Sequence, residues 1–470
     1  MTGIWILLAA IGVGVVILSV WGGKTARNSL AYFAASRKAG PILAGLGGTA
    51  AGLSAFVFIG GPGLFSSIGV ASLWLILSAP LTGALQCWVV GEPIVNLARK
   101  HRCVTVPDLL AARFGDGLPR GLAAAAIILG GVATLAVQVK GVAVIGEIVF
   151  GLPGWLLAAG VLVATTAYTT AGGMRAGLLA EAFQGLLMGG IAVILAAVAL
   201  AHAGGPVSAL ETLHNHRPEL LSAWGSIGPM TALAWFLLFG LGTCAQPHYL
   251  QKFLLLKNRA ALRWMPAVMT LALLSVLTVW IGLGLGGTAL AIQGRIDVPT
   301  PDSLVPSFLS SLAPWLMVAA LVAVTAAVMS TAASLLNLVA GALSHDLPLA
   351  IGRKPSPGLT TARSATVLAA AVALGLGLSV HRTVALLGVL GWGTFTAALL
   401  PAVVLGLNWS GTARRGAIAG MIIGPLVQLG LEALHWRGAM TTWEPGLTGA
   451  AGGTIVMVLL SHLAPGGRSS

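Results

Sequence analysis

The segment Ala327-Val328-Met329-Ser330-Thr331 places oxygen atoms at helical spacing. Ala327, Ser330 and Thr331 stand at i, i+3 and i+4, so in a helix they share one face. A backbone carbonyl and two hydroxyls are hard oxygen donors, the kind that a small hard cation such as Na⁺ prefers. The alternative is that the hydroxyls bond the carbonyl one turn back in their own helix, as Ser and Thr in membrane helices often do.

Two segments rich in helix breakers are expected to supply further donors. Ala50 and Leu53 lie in the first of them and are placed to offer free backbone carbonyls. Glycine lowers the cost of unwinding a helix, and proline removes a backbone hydrogen bond. Broken helices are therefore predicted in both segments, against the alternative that the glycines serve close packing. The breakers are Gly45, Gly47, Gly48, Gly52, Gly60, Gly61, Pro62 and Gly63 in the first segment, and Gly240, Gly242 and Pro247 in the second.

Membrane spans are the elements that must position these residues. Only 8% of the 470 residues are charged, 57% are hydrophobic and the mean hydropathy is +0.96. A soluble domain has roughly a quarter of its residues charged, so the composition predicts an all-α membrane protein. Runs long enough to cross a bilayer predict about thirteen spans, near residues 3–21, 40–64, 70–96, 121–149, 153–171, 178–203, 229–251, 265–293, 314–344, 362–380, 384–407, 415–435 and 446–464.

The two breaker-rich spans are the second and the seventh. Five spans separate them and they cross in opposite directions, which predicts an inverted five-plus-five repeat, spans 2–6 and 7–11, with a binding site where the broken helices meet. We expect one polytopic transporter domain over residues 1–470. It would comprise an extra span and inner loop (1–38), a first repeat (39–203), a second repeat (229–408) and two further spans with a tail (409–470).

The net charge of +13 is explained by topology. With the N-terminus outside and the C-terminus in the cytoplasm, twenty of the 25 Lys and Arg, Lys252 among them, fall in inner loops and four in outer loops. This is the positive-inside pattern of a bacterial inner-membrane protein, and it requires no nucleic acid. The expected partners are the lipid bilayer and a small organic solute, with no required protein partner. No nucleotide-binding motif, organic cofactor site or catalytic constellation is indicated, so an ion gradient rather than enzyme chemistry is expected.

Lys140 is the one basic residue inside a span, next but one to Gln138. A lysine near mid-bilayer costs about 2.5–3.5 kcal/mol on insertion scales, so it must face protein or water. Four roles stay open. Lys140 receives a substrate carboxylate, pairs with an acid such as Glu147 or Glu181, replaces an ion by its own charge, or snorkels towards the lipid surface. The ion-replacing role is the weakest, because the hydroxyls of the predicted sodium site are present.

Several stretches resemble the sodium/solute symporter family, in particular its bacterial proline, pantothenate and acetate permeases. The resemblance implies an inverted repeat of ten core helices, commonly within thirteen spans, and Na⁺ as the coupling ion. It also implies a sodium site of carbonyls at Ala50, Leu53 and Ala327 with hydroxyls at Ser330 and Thr331. The stretches are Ala50-Ala51-Gly52-Leu53-Ser54 with Gly61-Pro62-Gly63, Gly172-Gly173-Met174-Arg175-Ala176 with Glu181-Ala182-Phe183-Gln184, Gln246-Pro247-His248, Met329-Ser330-Thr331 running to Ser344-His345-Asp346, and Gly416-Ala417-Ile418-Ala419-Gly420.

The resemblance further implies a role in ion release for Glu181, where many members carry aspartate; an interfacial acid paired with Arg175 is the alternative. The proline-transporting branch carries Trp and Tyr where this chain has Phe239 and Thr243, which argues against proline itself. The residues expected to line the solute site are Gln138, Lys140, Phe239, Thr243, Gln246, Trp392 and Thr396. The predicted function is sodium-coupled import of an amino acid, monocarboxylate or vitamin-like solute; a proton-coupled carrier and a non-transporting sensor are the alternatives.

Overall fold

The computed structural model describes residues 39–354, 359–437 and 444–463, together with isolated positions before residue 21. Side chains at 173, 175 and 176 are outside the description. Most of the predicted first span, the basic loop that follows it and the tail after Pro465 also lie outside the described residues. Within the described ranges the chain is helical and contains no β-strand.

Nineteen α-helices make up these ranges, several of them joined directly by short 3₁₀ or π turns. They are α1 (Pro41–Gly52), α2 (Gly61–Ile68), α3 (Ala79–Gln86), α4 (Glu92–His101), α5 (Val106–Phe114), α6 (Leu118–Phe150), α7 (Gly154–His202), α8 (Pro206–His216), α9 (Gly228–Gly242), α10 (Pro247–Leu254), α11 (Met265–Ile292), α12 (Leu304–Ser310), α13 (Pro314–Gly341), α14 (Leu347–Ala350), α15 (Thr360–Ser379), α16 (Val384–Leu400), α17 (Gly406–Asn408), α18 (Arg414–Trp436) and α19 (Pro445–Leu463).

Eleven helical stretches of the described chain are long and apolar enough to cross a membrane. The all-α membrane class is therefore confirmed, whereas the count of thirteen is not established. Most of one predicted span lies outside the described residues. The second half of the predicted second span and the whole of the third form one helical stretch, Phe56–His101.

Helix α7 contains two predicted spans in one 49-residue helical element. A straight helix of that length would measure about 74 Å at about 1.5 Å per residue, more than twice the hydrocarbon core. Its contacts with α13 show that it reverses. The Tyr168 hydroxyl donates to the Met329 carbonyl, at 2.9 Å, and Gly177 lies beside Asn337. Gln184 then lines a cavity together with Met329 again, so the second half of α7 runs back along α13.

Helix α13 is the centre of the described bundle. Every residue from Leu321 to Ala342 is buried except Thr325. Small residues on this helix let neighbouring backbones approach closely, which is how membrane helices pack without a strong hydrophobic driving force between them. Helices α1, α6 and α7 all contact it, so the hydroxyl-bearing segment is surrounded by protein on all sides.

The first interruption follows Gly52, the last residue of α1. Leu53 takes an extended conformation, with φ −76° and ψ 97°, and the chain resumes as a π turn, Phe56–Gly60, that leads into α2. The backbone N–H of Ala55 would bond the Ala51 carbonyl in a continuous helix, but it donates to Gln138 Oε1 at 3.0 Å instead. The break therefore releases carbonyls while a side chain from α6 receives the matching N–H.

The second broken helix is interrupted between α9 and α10. After Gly242 the chain makes a 3₁₀ turn, Thr243–Ala245, and Gln246 is extended before Pro247 begins α10. The Gln246 side chain donates to the Gly242 carbonyl at 3.0 Å, so the residue at the break also satisfies a carbonyl that the break leaves free. Both predicted interruptions are thus present. The inverted relation between the two halves stays a prediction.

Candidate functional site

The five residues of the predicted sodium site lie together between the first break and α13. Ser330 Oγ lies 3.0 Å from the Ala50 carbonyl and 2.9 Å from that of Ala327. Thr331 Oγ1 lies 3.4 Å from the Leu53 carbonyl. All five residues are at most 3% exposed. Sequence spacing and the position of the breakers thus led to residues that are adjacent in space.

The cluster holds more acceptors than protons. Each hydroxyl has one proton to donate, yet Ser330 faces two carbonyls, and Thr331 faces those of Ala51, at 3.1 Å, and Leu53. Oxygens bound at about 2.4 Å to a cation, as around Ca²⁺, lie about 3.4 Å apart when they subtend a right angle. The separations of 2.9–3.4 Å found here are of that order. A small monovalent cation would serve all of these oxygens at once.

Gln138 lies at the break rather than in a solute cavity. It is 1% exposed, and besides accepting from Ala55 it donates to the Thr134 carbonyl of its own helix, at 3.3 Å. Its role in the described structure is to receive the N–H that the interrupted helix α1 leaves unpaired. Gln138 does not line the cavity between the two breaks, and its predicted contact with solute stays a prediction.

We expect Gln138→Leu to lower the free energy of unfolding by about 1–3 kcal/mol, because the buried Ala55 N–H loses its acceptor. Sodium affinity should fall as well, since the break that releases the carbonyls loses its support. Thermal melting of the purified protein with and without Na⁺ measures both effects. The matched control is Gln428→Leu, an equally buried amide between α16 and α18, which should leave the sodium response unchanged. An unaltered sodium response in Gln138→Leu would contradict this role.

A cavity of about 50 Å³ lies between the two broken helices. Three of the predicted solute-lining residues, Phe239, Thr243 and Trp392, border it, and Gly52 brings it next to the oxygen cluster. The aromatic rings are stacked, with Phe239 centred 4.7 Å from Trp392 and 5.4 Å from Phe56. No charged side chain lines this cavity in the described chain.

Gln246 and Thr396 join α16 to the second break beside this cavity. Gln246 Nε2 lies 3.2 Å from the Trp392 carbonyl and 3.4 Å from Thr396 Oγ1. Thr243 accepts a hydrogen bond from Gln86 of α3, a residue that sequence reasoning missed. One oxygen on each of the two glutamines, Gln86 Oε1 and Gln246 Oε1, is buried without a protein partner. Neither glutamine lines the cavity, so the two oxygens are buried acceptors beside it.

A larger cavity, about 380 Å³, lies between α6, α7 and α13. Its lining is apolar apart from Gln184 and Thr325, so it offers few partners to a polar solute. It does not contact the two breaks. The smaller cavity is therefore the better candidate for solute binding.

Lys140 lies apart from both the oxygen cluster and the cavity. Its ammonium group donates to the carbonyl of Val380, which follows the last residue of α15, at 2.9 Å. A cation at a helix C-terminus is stabilised by the helix dipole. In the described structure it forms no ion pair with Glu147 or Glu181.

Asp302 is an acid whose charge acts on Lys140. It accepts the N–H of Val384 at the start of α16. Burial raises the pKa of the Asp302 carboxyl, although the positive charge of Lys140 opposes the shift.

Glu181 pairs with Lys252, a contact that corrects the sequence assignment. Lys252 was placed in an inner loop, but α10 continues to Leu254 and holds this lysine at 1% exposure. Its Nζ lies 2.5 Å from Glu181 Oε2. Because a buried carboxylate needs a counter-charge, an acid inside a predicted span was itself the signal that a basic partner had to lie nearby. Only the folded chain identifies that partner.

Polar groups continue along α13 beyond the oxygen cluster. Ser334 follows Thr331 by one turn and donates to Glu181 at 2.6 Å. Asn337 comes next and lines a small cavity with Gln251 and Asp346. This row leads from the cluster to the end of α13 that the charge pattern predicts to be cytoplasmic.

The helical bundle with two interrupted spans, an oxygen cluster and an adjacent cavity is the arrangement expected of a membrane carrier. Among solved structures the fold is similar to that of a substrate-bound, outward-open Na⁺-coupled sialic acid symporter, with a TM-score of 0.82 and 16% identity over 98% of each chain. A family model, the sodium:solute symporter family, matches residues 32–424. The chain belongs to the sodium:solute symporter family, whose members are membrane transporters rather than enzymes.

Curated relatives match over most of their length. The sodium/proline symporter of Escherichia coli K12 is 25% identical, with 95% of this chain and 91% of the relative covered. The sodium/pantothenate symporter of the same organism is 28% identical, covering 86% and 84%. The osmoregulated proline transporter OpuE of Bacillus subtilis 168 is also 28% identical, covering 84% and 81%.

Proposed function

We propose that this protein imports a small organic solute together with Na⁺, and that Ala50, Leu53, Ala327, Ser330 and Thr331 bind the ion. One observation carries the proposal: the carbonyls released by the first break face two hydroxyls of α13 at 3.0–3.4 Å, and the two hydroxyls have too few protons for all of them. The cavity between the two breaks lies directly beside this cluster. Ion and solute would therefore stabilise the same arrangement of α1 and α13.

Transport would proceed by alternating access. Residues 39–203 and 229–408 would form the two inverted repeats, with the N-terminus outside and the C-terminus in the cytoplasm of a bacterium. The cavity of about 50 Å³ is smaller than the roughly 300 Å³ of ordinary ligand pockets, so admitting a solute requires the helices to separate. One charge moving through about 100 mV yields about 2.3 kcal/mol, enough for a solute gradient of about 50-fold.

The solute is expected to be small, with an apolar part that packs against aromatic rings. Phe56, Phe239 and Trp392 supply those rings, while Gln86 and Gln246 supply buried acceptors. A carboxylate on the solute would find positive charge in the neighbouring Na⁺, because no basic side chain lines the cavity. Amino acids, monocarboxylates and vitamin-like acids fit this description. Relatives named for proline and pantothenate transport support the same range.

Coupling to protons instead of Na⁺ is the main alternative, with Glu181 and Lys140 as titrating groups. The arrangement of these residues favours sodium, because Glu181 is already paired with Lys252 and Lys140 is bonded to a backbone carbonyl. A sensor without net flux would bind solute in the same cavity. Uptake into proteoliposomes separates the three, since only the proposed symporter accumulates solute in response to a sodium gradient alone.

A thermal-shift screen against amino acids, monocarboxylates, vitamins and sugars, with and without Na⁺, tests the proposal on the purified protein. We expect at least one solute whose stabilising effect is larger in Na⁺ than in choline at equal ionic strength, because ion and solute affinities are reciprocally linked. Proteoliposomes prepared with that solute should then accumulate it under an inward sodium gradient. Accumulation that persists without Na⁺ and collapses with the proton gradient would reject the proposed coupling.

A further inference from the structure

Three side chains from three helices form a closed polar contact beside the oxygen cluster. Lys252 Nζ lies 2.5 Å from Glu181 Oε2 and 3.0 Å from Ser334 Oγ. The Ser334 hydroxyl donates in turn to Glu181 Oε1, at 2.6 Å. The side chains of Lys252 and Glu181 are 1% and 2% exposed. The ammonium group is thus held by a carboxylate and a hydroxyl with almost no access to solvent.

The contact lies one helical turn from the proposed sodium ligands. Ser334 is four residues after Ser330 on α13, so the two hydroxyls share a face. Helix α1 packs against the ion pair with two glycines, Gly47 and Gly48, rather than with side chains. A Cβ at Gly48 would lie 3.6 Å from Lys252 Cγ, and a Cβ at Gly47 would lie 3.3 Å from Glu181 Oε2. Helix α1 therefore passes close to the ion pair at these two glycines, next to the break.

The chemistry around the ammonium group is that of a cation site. A carboxylate oxygen and a hydroxyl are hard donors of the same kind that the neighbouring cluster offers to Na⁺. A buried, ionised carboxylate without a counter-charge is strongly unfavourable, so the ionised form of Glu181 needs a cation beside it. In this chain the cation is covalently attached, and it cannot be transported.

We propose that Lys252 is a tethered cation that fills a second cation position formed by Glu181 and Ser334, and that it thereby limits the protein to one Na⁺ per solute. The inference rests on the proposed function, in which one Na⁺ binds at Ser330 and Thr331. Glu181 then acts on the ion indirectly. Its charge is neutralised by Lys252, so an ion leaving along α13 meets no free carboxylate that would retain it.

The test is the number of Na⁺ ions bound per chain, measured with radioactive Na⁺ on the purified, detergent-solubilised protein. Lys252→Met keeps an apolar stem of similar length and removes the ammonium group. We expect the bound sodium to rise from about one to about two ions per chain, and the sodium dependence to become cooperative, because Na⁺ replaces the lost counter-charge. Adding Glu181→Gln to this variant removes the demand for a cation and should restore one ion.

Lys140→Met is the matched control, because Lys140 is a partly buried lysine whose ammonium group donates to a backbone carbonyl rather than to an acid. This variant should still bind one Na⁺ ion per chain. A Lys252→Met protein that binds the same single ion as the wild type would overturn the inference while leaving sodium coupling intact. If this variant does not fold, the wild-type count decides, since two ions per wild-type chain would also overturn it. A wild type that binds no Na⁺ would instead contradict the proposed function.

Discussion

Removal of both hydroxyls in the double variant Ser330→Ala with Thr331→Ala should raise the sodium concentration for half-maximal solute uptake at least about tenfold. A tenfold change corresponds to about 1.4 kcal/mol, which is modest for the loss of two of five oxygen ligands from a buried ion. Both side chains are at most 3% exposed, so water cannot easily replace the missing oxygens. Solute uptake into proteoliposomes over a range of Na⁺ concentrations measures the shift.

The control variant makes the same two substitutions, Ser→Ala and Thr→Ala, at buried positions outside the oxygen cluster. Ser344 and Thr366 are buried, and each donates to the carbonyl four residues earlier in its own helix, at 2.6 and 2.9 Å. Ser344→Ala with Thr366→Ala should leave the sodium dependence unchanged. If the double variant at 330 and 331 responds to Na⁺ like this control, the ion does not bind at the oxygen cluster.

The oxygen cluster was predictable because residues close together in sequence indicate each half of it. The spacing of Ala327, Ser330 and Thr331 defines a helical face, and the glycines before Leu53 identify where the facing helix can open. The resemblance to a family then implied that the segments 50–53 and 327–331, which are distant in sequence, contribute to one site. The membrane class followed from composition alone, because so few charges cannot support a soluble domain of this length.

The partners of single buried polar groups were not predictable in the same way. Gln138 was expected to meet solute, but it receives the Ala55 N–H, and this requires knowing that α6 passes the first break. Lys252 was assigned to a loop because the predicted span stopped one residue before it, whereas the helix continues and buries it against Glu181. A span boundary is uncertain by one or two residues, and here that uncertainty reversed the interpretation of a charge.

The course of the chain between spans also depends on tertiary contacts. Two spans were correctly expected within Gly154–His202, but hydropathy gives no reason for helical hydrogen bonding to continue through the reversal before Gly177. The solute remains the least determined feature. Phe239 and Thr243 line the cavity as expected, yet aromatic rings and neutral acceptors are compatible with many small molecules.

Glu181→Gln alone is expected to lower the free energy of unfolding by about 3–5 kcal/mol, because it leaves the Lys252 ammonium buried without its partner. Lys252→Met in the same chain should recover most of that loss, since neither side chain is then charged. The melting temperatures of the two single variants and the double variant in sodium-free buffer form a double-mutant cycle whose interaction term measures the pair.

The control for this cycle is Glu432→Gln, which removes the acid of a more exposed ion pair. Glu432 also pairs with a basic residue, Arg382, at 3.2 Å, but the Arg382 side chain is 27% exposed. Partly exposed pairs contribute about 0–1 kcal/mol, so this variant should melt close to the wild type. Equal melting of Glu181→Gln and Glu432→Gln would mean that water reaches the buried pair, and Lys252 would then be no fixed counter-charge. A large loss confined to Glu181→Gln indicates instead that the Lys252 ammonium depends on this carboxylate in a site that water does not reach, as expected of a fixed counter-charge at a cation position.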